Sequence, residues 1–209
     1  MKQRACRSRA AAWATLALGV LAPSCMLRPS PDPTRFYVLT ADAPDHPPAS
    51  GSLAVGLGPI TMPGYLHHPG LATRVGTEVR YADGDRWAEP LPTLFARALG
   101  QDLSALLGAR IVPYPWYRAT ALDMVVRVDV SSFEAVAAGN ASLAACWSIR
   151  DSPTRRVCRD ECASIVEVVD EPGTQARVAA LSRAVGELAQ RLASAIRSCQ
   201  RRETDPDIE

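Results

Sequence analysis

The chain has 209 residues, of which 23 are basic and 22 acidic, and 47% are hydrophobic. Four of the basic residues lie in the first nine positions, so residues 25–209 are mildly acidic, with 22 acids against 19 bases. This balance argues against a nucleic-acid partner, which requires clustered positive charge. No lysine follows Lys2, which excludes Schiff-base chemistry and a phosphate-loop lysine.

Residues 1–24 predict a secretory signal peptide. A basic start precedes the uncharged, mostly apolar segment 10–21, which as a helix of about 18 Å is too short for the roughly 30 Å hydrocarbon core of a bilayer. The small residue Ser24 precedes Cys25, which we predict to be the lipidated residue. Ordinary cleavage near Ser24 and a short uncleaved anchor are the alternatives. Met26, in place of Asp, favours the outer membrane.

Residues 26–34 contain three prolines, so residues 25–34 predict a lipidated cysteine with an extended tether. A folded domain is predicted over residues 35–200. Its first half predicts strands at 35–39 and 53–55, an ordered loop at 60–70, and a hairpin of 71–75 with 78–81 around Gly76-Thr77.

The next elements show clear periodicity. An apolar stripe from Leu91, with Pro92 in the first turn, predicts a helix that ends before Gly108, and a strand is expected at 111–114. Apolar residues alternate with charges over 122–130, which predicts a strand with one buried and one wet face, typical of antiparallel sheets.

Two further strands are predicted at 141–150 and 155–169. If residues 151–153 form the loop between them, Cys146 lies opposite Cys158, so we predict disulfides Cys146–Cys158 and Cys162–Cys199. Unpaired buried thiols are the alternative. The Cys158-x3-Cys162 spacing could be half of a zinc site, but no second ligand pair has matching spacing, and no metal site is predicted.

Apolar residues at intervals of three and four over 174–199 predict an amphipathic helix, with Cys199 on its buried side. Residues 201–209 are predicted to be a disordered tail. Together the elements predict an α+β fold, a two-layer domain with a mainly antiparallel sheet and two long helices on one face.

The sequence contains no motif that places a nucleophile, a base and an orienting group together, so no enzymatic activity and no cofactor are predicted. Aromatic and apolar residues are instead frequent in predicted loops. They either close the open ends of the sheet or form a protein contact surface, since Trp and Tyr near Arg are typical of interface hot spots.

Several short segments resemble the PqiC/YmbA-type auxiliary lipoproteins of ABC transport systems. They are Arg35-Phe-Tyr-Val-Leu39, Val55-Gly-Leu-Gly-Pro-Ile60, Met62-Pro-Gly-Tyr-Leu66, Asp85-Arg86-Trp87-Ala88-Glu89-Pro90-Leu91 and Tyr114-Pro-Trp116. The resemblance covers residues 35 to about 197.

This resemblance implies a non-catalytic lipoprotein on the periplasmic face of the outer membrane, which supports envelope integrity. Members work with MCE-domain proteins that bridge the periplasm and move phospholipid or other hydrophobic molecules. The chain would hold such an assembly at the outer membrane and can form a homo-oligomeric ring. We place the predicted partner-binding site on Tyr65, Leu66, Arg86, Trp87 and Trp116. The alternative function is a periplasmic carrier of a lipid or small apolar ligand.

Overall fold

The computed structural model describes residues 33–42, 53–117, 120–136 and 139–204. The predicted signal peptide, Cys25 and the first part of the predicted tether lie outside the described residues. Eight strands and two α-helices are described: β1 (Arg35–Tyr37), β2 (Ala54–Thr61), β3 (Gly70–Val75), β4 (Glu78–Trp87), α1 (Leu91–Leu107), β5 (Arg110–Pro113), β6 (Met124–Val136), β7 (Asn140–Asp151), β8 (Val157–Val168) and α2 (Thr174–Thr204). A 3-10 turn at Gly64–His67 connects β2 to β3.

Strand β6 organises the sheet, because three other strands pair with it. One edge of β6 pairs with β7 along the full length from Met124 to Val136. The other edge is shared, because β2 pairs with the first half of β6 while β3 pairs only with Ala135 and Val136. The strand order is therefore β1-β4-β3-β6-β2-β5, with β7 and β8 added on the far edge of β6.

The α+β prediction is confirmed, and the sheet is mixed. The hairpins β3–β4, β6–β7 and β7–β8 are antiparallel and contain most of the paired residues. The shorter pairings of β2 with β5 and β6, of β1 with β4 and of β3 with β6 are parallel. Parallel pairing requires crossover connections, and α1 is part of the connection that leads to β5.

Both helices cover the same face of the sheet. Helix α1 contacts β2 and β5, helix α2 contacts β6, β7 and β8, and the helices contact each other. Helix α1 ends as predicted, because Gly108 adopts a left-handed conformation with φ of 60° and donates its backbone N–H to the carbonyl of Ser104. Helix α2 continues to Thr204, so residues 201–204 are helical and not part of a disordered tail.

Strands β2 and β4 are longer than predicted. In both, the pairing continues past residues that are typical of strand ends, with a shift in register. Strand β2 passes through Gly58-Pro59, where the register with β6 shifts between Leu57 and Ile60. Strand β4 continues to Trp87 because it has neighbours on both sides, β3 and β1. The segment Asp85–Trp87, which lies beyond the predicted strand 78–81, therefore belongs to the sheet and pairs with its terminal strand β1.

The predicted disulfide pairing is wrong, although all four cysteines form bridges. The structure joins Cys146 to Cys162 and Cys158 to Cys199. The β7–β8 turn is longer than three residues, and it closes with a hydrogen bond from the Asp151 N–H to the Arg156 carbonyl. The longer turn moves the register by three positions, since Arg150 pairs with Val157, and an irregularity between Ile149 and Arg150 adds a fourth, which places Cys162 directly opposite Cys146.

The two bridges have different mechanical roles. Cys146–Cys162 joins neighbouring strands across a sequence separation of 16 residues, whereas Cys158–Cys199 joins β8 to α2 across 41 residues. The second bridge therefore ties the edge of the sheet to the helix that covers it.

Removing the helix–sheet bridge should destabilise the domain more than removing the strand–strand bridge. On the chain-entropy model the double variant Cys158→Ser/Cys199→Ser loses about 4 kcal/mol, and Cys146→Ser/Cys162→Ser about 3 kcal/mol. Urea unfolding of both variants measures the difference. A larger loss in the Cys146→Ser/Cys162→Ser variant would contradict these roles of the two bridges. Non-reducing peptide mapping that finds a Cys146–Cys158 linkage would contradict the pairing itself.

Candidate functional site

The five residues predicted to bind a partner do not form one surface. Four of them lie around the β3–β4 hairpin, where Gly70 pairs with Arg86 and the Trp87 N–H donates to the Pro69 carbonyl. Trp116 follows β5, and three strands separate β4 from β5 in the sheet. The predicted site therefore divides into two regions on different parts of the sheet.

Leu66 and Trp87 are core residues, which corrects their predicted place on a contact surface. Their exposed fractions are 2% and 6%. Trp87 lies at the end of a strand, two positions from the buried Asp85, so both side chains point to the same covered face of the sheet. Leu66 is the buried residue of the 3-10 turn. In this fold neither side chain can contact a partner.

Tyr65 is held in a buried polar network. Its hydroxyl donates to Glu134 Oε2 at 2.6 Å, and the Arg74 guanidinium both pairs with Glu134 and lies 5.7 Å from the centre of the Tyr65 ring. Tyr81 donates its hydroxyl to the Tyr65 carbonyl at 2.9 Å. Burial, followed by the hydrogen bond to Glu134, raises the pKa of Tyr65 to about 12.

These contacts explain the position of Tyr65 within the domain, without a binding partner. Glu134 is a buried carboxylate, and burying a charge is costly unless it is paired and hydrogen-bonded. Tyr65 and Arg74 satisfy that requirement, and they fix the 3-10 turn to β3 and β6.

Arg86 is exposed and lies beside an exposed aromatic residue. Its register partner on β1 is Phe36, whose exposed fraction is 67%. Both side chains alternate with the inward-facing Asp85, Tyr37 and Trp87, so they lie on the face of the sheet away from the helices.

Asp85 connects three elements beneath that pair. Its carboxylate accepts a hydrogen bond from Arg35 Nε at 2.9 Å and from the hydroxyl of Thr174, the first residue of α2. Tyr37 donates a longer bond of 3.4 Å. The Thr174 hydrogen bond, and then the charge of Arg35, hold the pKa of Asp85 below its ordinary value. Asp85 thus fixes β1 and the start of α2 to β4.

Three aromatic residues follow the start of β5 in quick succession, and we call Tyr114, Trp116 and Tyr117 the aromatic corner. Trp116 donates its indole N–H to the Val112 carbonyl at 2.9 Å, and the Tyr114 and Trp116 rings meet edge to face with centroids 5.4 Å apart. Tyr114 and Tyr117 are 56% and 83% exposed.

Glycines on β2 allow this close approach. A Cβ at Gly56 would lie 2.9 Å from the Trp116 ring, and one at Gly58 would lie 2.8 Å from the Tyr114 Cβ. Both contacts are too short for any other residue type. Close packing on β2 therefore holds Trp116 and Tyr114 in place, although the Tyr114 ring faces solvent.

A groove of about 560 Å³ adjoins the aromatic corner. Its lining is mostly apolar and combines the irregular part of β2 with the first turn of α1 and the end of β5; it includes Pro59, Ile60, Pro92, Thr93, Ala96, Pro113 and Tyr114. A rigid aromatic group beside an apolar groove has the composition of a protein contact site.

The residues that the structure describes contain no group of three or more His, Cys, Asp or Glu placed to hold a metal ion. His68 stacks on Tyr81 with ring centroids 3.8 Å apart and accepts the Gly70 N–H, which gives it a role in packing. None of the described helices is both long enough and apolar enough to cross a bilayer.

These features define an α+β domain with accessible aromatic groups beside an apolar groove. Residues 37–193 match the family model of the ABC-type transport auxiliary lipoprotein component. The chain belongs to this family, as the resemblance noted in its sequence predicts. The family consists of auxiliary components of transport systems and is not a family of enzymes.

Solved structures show the same fold. The protein XCC0632 from Xanthomonas campestris has a TM-score of 0.66 and 16% identity, and the match covers 81% of this chain and 99% of that one. An uncharacterized protein has the same TM-score and identity, with 78% and 98% covered. The PelC L103M dodecamer from Paraburkholderia phytofirmans is a weaker match that does not bear on the fold, with 13% identity, a TM-score of 0.43, and coverage of 70% and 90%. No curated protein matches the sequence significantly.

The predicted partner-binding site includes Trp116 but neither Tyr114 nor Tyr117. The sequence does indicate an exposed aromatic segment here, because Pro113–Tyr117 contains two prolines and three aromatic residues and is therefore not expected to continue a strand. Phe36 was missed because a three-residue strand is too short for its alternation to be recognised.

The Asp85 network predicts a defined pH dependence. Asp85→Asn should lower the free energy of unfolding by about 2 kcal/mol at pH 7, because a charge-assisted hydrogen-bond network is lost. Since folding lowers this pKa, the contribution is complete above the unfolded value near 3.9 and disappears as pH falls through the folded value. Urea unfolding at pH 7, 5 and 3 measures it.

The difference between wild type and variant should be constant from pH 7 to 5 and should shrink at pH 3. The control is Glu78→Gln, which removes a carboxylate from an exposed pair with Arg80 and should change stability little. A difference that stays the same at pH 3 would show that Asp85 does not stabilise the fold through its charge.

Proposed function

We propose that this chain is an outer-membrane lipoprotein that docks a periplasm-spanning MCE-domain protein of an ABC transport system. Membership of the auxiliary lipoprotein family supports the transport role. The observation that carries the docking role is the solvent-facing aromatic corner beside an apolar groove, with Trp116 and Tyr114 packed closely on β2. The transported cargo is a lipid or another hydrophobic molecule, and the chain itself performs no chemistry.

The anchor in this proposal is Cys25, lipidated and followed by a short tether. Ten residues from 25 to 34 can span at most about 35 Å when extended. Strand β1 begins immediately after them, at Arg35. The domain would therefore stay within a few nanometres of the periplasmic face of the outer membrane, where several acyl chains provide stable attachment.

The docking surface in this proposal is the aromatic corner with its groove, which retains Trp116 and replaces the core residues Leu66 and Trp87. Aromatic rings provide most binding energy when they are rigid and can be desolvated. Here the backbone contact at Val112 and the close packing on Gly56 hold Trp116 in place. Arg86 and Phe36 form a second exposed group on a different part of the sheet.

The proposal includes assembly of several copies into a ring. Strand β8 ends the sheet beyond β7, and strands β1 and β5 end it at the other positions. Strand β8 also exposes apolar side chains, namely Val157, Val166 and Val168. A contact between unlike edges of neighbouring copies is heterologous, and such contacts close into rings when the rotation permits.

A carrier function is the second candidate, and the cavity between β8 and α2 is the observation relevant to it. Its volume is about 400 Å³, and charged and hydroxyl side chains are prominent in its lining. An apolar ligand prefers a mostly apolar site. Native mass spectrometry of the protein purified without added lipid distinguishes the two functions, because a carrier retains a stoichiometric apolar ligand.

Capture of an MCE-domain protein tests the docking surface. The double variant Tyr114→Ala/Tyr117→Ala should weaken capture at least tenfold in dissociation constant, because two exposed rings are lost while the core is unchanged. Phe36→Ala is the matched control, since it removes another exposed ring from the opposite end of the sheet. Undiminished capture by the folded double variant would exclude the corner as the docking surface.

Membrane fractionation tests the anchor. Cys25→Ser should move the protein from the outer-membrane fraction to the soluble periplasmic fraction, because the acyl chains are lost and the folded domain is unchanged. Circular dichroism of the released protein checks the fold. Membrane association that persists in this variant would place the anchor elsewhere in the chain.

A further inference from the structure

A second cavity lies on the other side of the domain, between the β7–β8 hairpin and helix α2. It has a volume of about 400 Å³, within the range of small-ligand sites. Trp147 of β7, Arg159 and Glu161 of β8, and Arg191, Ser194 and Ser198 of α2 line it. Its walls thus come from two strands and a helix that the Cys158–Cys199 bridge holds together.

Two buried hydrogen-bond donors in this lining have no acceptor. Trp147 is only 3% exposed, and within the described part of the chain its indole N–H has no hydrogen-bond partner. The Arg159 side chain is 33% exposed, but its Nε atom is buried and has no hydrogen-bond partner among the described residues, although it forms an ion pair with Glu161 Oε1 at 3.4 Å. Buried donors are normally satisfied, so two such donors on one cavity indicate a missing acceptor.

The charges of the lining specify what kind of acceptor fits. Arg159 and Arg191 contribute two positive charges and Glu161 one negative charge, while Arg191 directs its Nε to Glu187 on the same helix. Ser194 and Ser198 add hydroxyl groups. The lining is therefore rich in donors, carries a net positive charge of one, and offers a single acidic acceptor.

We infer that this cavity binds a monoanionic phosphodiester group that carries an ammonium or hydroxyl group beside it. The donors come from three elements, which suits the tetrahedral arrangement of oxygens in a phosphate better than a planar carboxylate. The phosphate oxygens accept from the Trp147 indole and from Arg159 and Arg191, as arginine favours phosphate. Glu161 accepts from the ammonium or hydroxyl group. A free glycerophosphodiester and a phospholipid headgroup share this chemistry.

The inference is independent of the docking proposal. The aromatic corner lies on the turn after β5, and the cavity lies at the β8 edge under α2. Loss of capture and loss of phosphodiester binding are separate measurements, so either proposal can fail alone.

Nuclear magnetic resonance of the tryptophan indole groups tests the site directly. The chain contains four tryptophans, and the Trp147 signal is assigned by its disappearance in Trp147→Phe. Titration of the whole disulfide-bonded chain with glycerophosphoethanolamine should shift the Trp147 indole N–H signal downfield and saturably. The Trp116 signal is an internal control, because that N–H already donates to Val112.

Variants of the lining check the charge assignment. Arg159→Gln and Arg191→Gln should each weaken binding about tenfold or more, because a charge-assisted hydrogen bond is lost. Arg127→Gln is the matched control, since Arg127 is exposed on the other face of β6 and does not line the cavity. Replacing glycerophosphoethanolamine with inorganic phosphate should weaken binding, because Glu161 then has no ammonium group to contact.

A vesicle arm distinguishes the two sources of the phosphodiester. If the source is a lipid, phosphatidylethanolamine vesicles shift or broaden the Trp147 signal in wild type but not in Arg159→Gln. If the source is a free metabolite, only the soluble probe does so. Either result supports the site. No shift with any probe would show that the cavity holds only water, and equal shifts in wild type and both arginine variants would show that the arginines do not bind the phosphate. Either result would overturn the inference.

Discussion

The hydrogen-bonding requirement of β6 is the constraint on which the remaining architecture depends. A thirteen-residue strand in the middle of a sheet must satisfy backbone groups along both edges. One long partner, β7, satisfies the first edge, whereas the second edge is divided between β2 and β3. This division separates the sheet into a β2–β5 side and a β3–β4–β1 side. The aromatic corner is mounted on the first and the Asp85 and Glu134 networks stabilise the second.

The elements with strong periodicity could be predicted from the sequence alone. The apolar stripe of α1, its glycine stop at Gly108, and the alternation that leads into β6 each identify an element, because one face must be buried along its whole length. The α+β class follows from those elements. The parallel pairings could not be predicted, because they depend on which distant strands meet β6 and not on any local pattern.

The errors at the site have a common physical origin. The predicted strand 78–81 ends before Trp87, which favours a place on a contact surface, but pairing with both β3 and β1 extends the strand and turns the indole inward. The predicted cysteine pairing is wrong because turn length and strand irregularities set the register, and both the turn that Asp151 closes and the shift after Arg150 move it. The cavity beside Trp147 has no sequence signal, since an unsatisfied indole depends on residues of α2 that are distant in the chain.

The two disulfides also connect the stability of the domain to its location. Together they join β7, β8 and α2 into one covalently linked unit that includes the last helix of the chain. Such bridges do not persist in a reducing cytosol and form in an oxidising compartment. In the proposed location, a newly made chain would lack these constraints before export and would acquire them in the periplasm. Oxidation would then make the final folding step dependent on arrival.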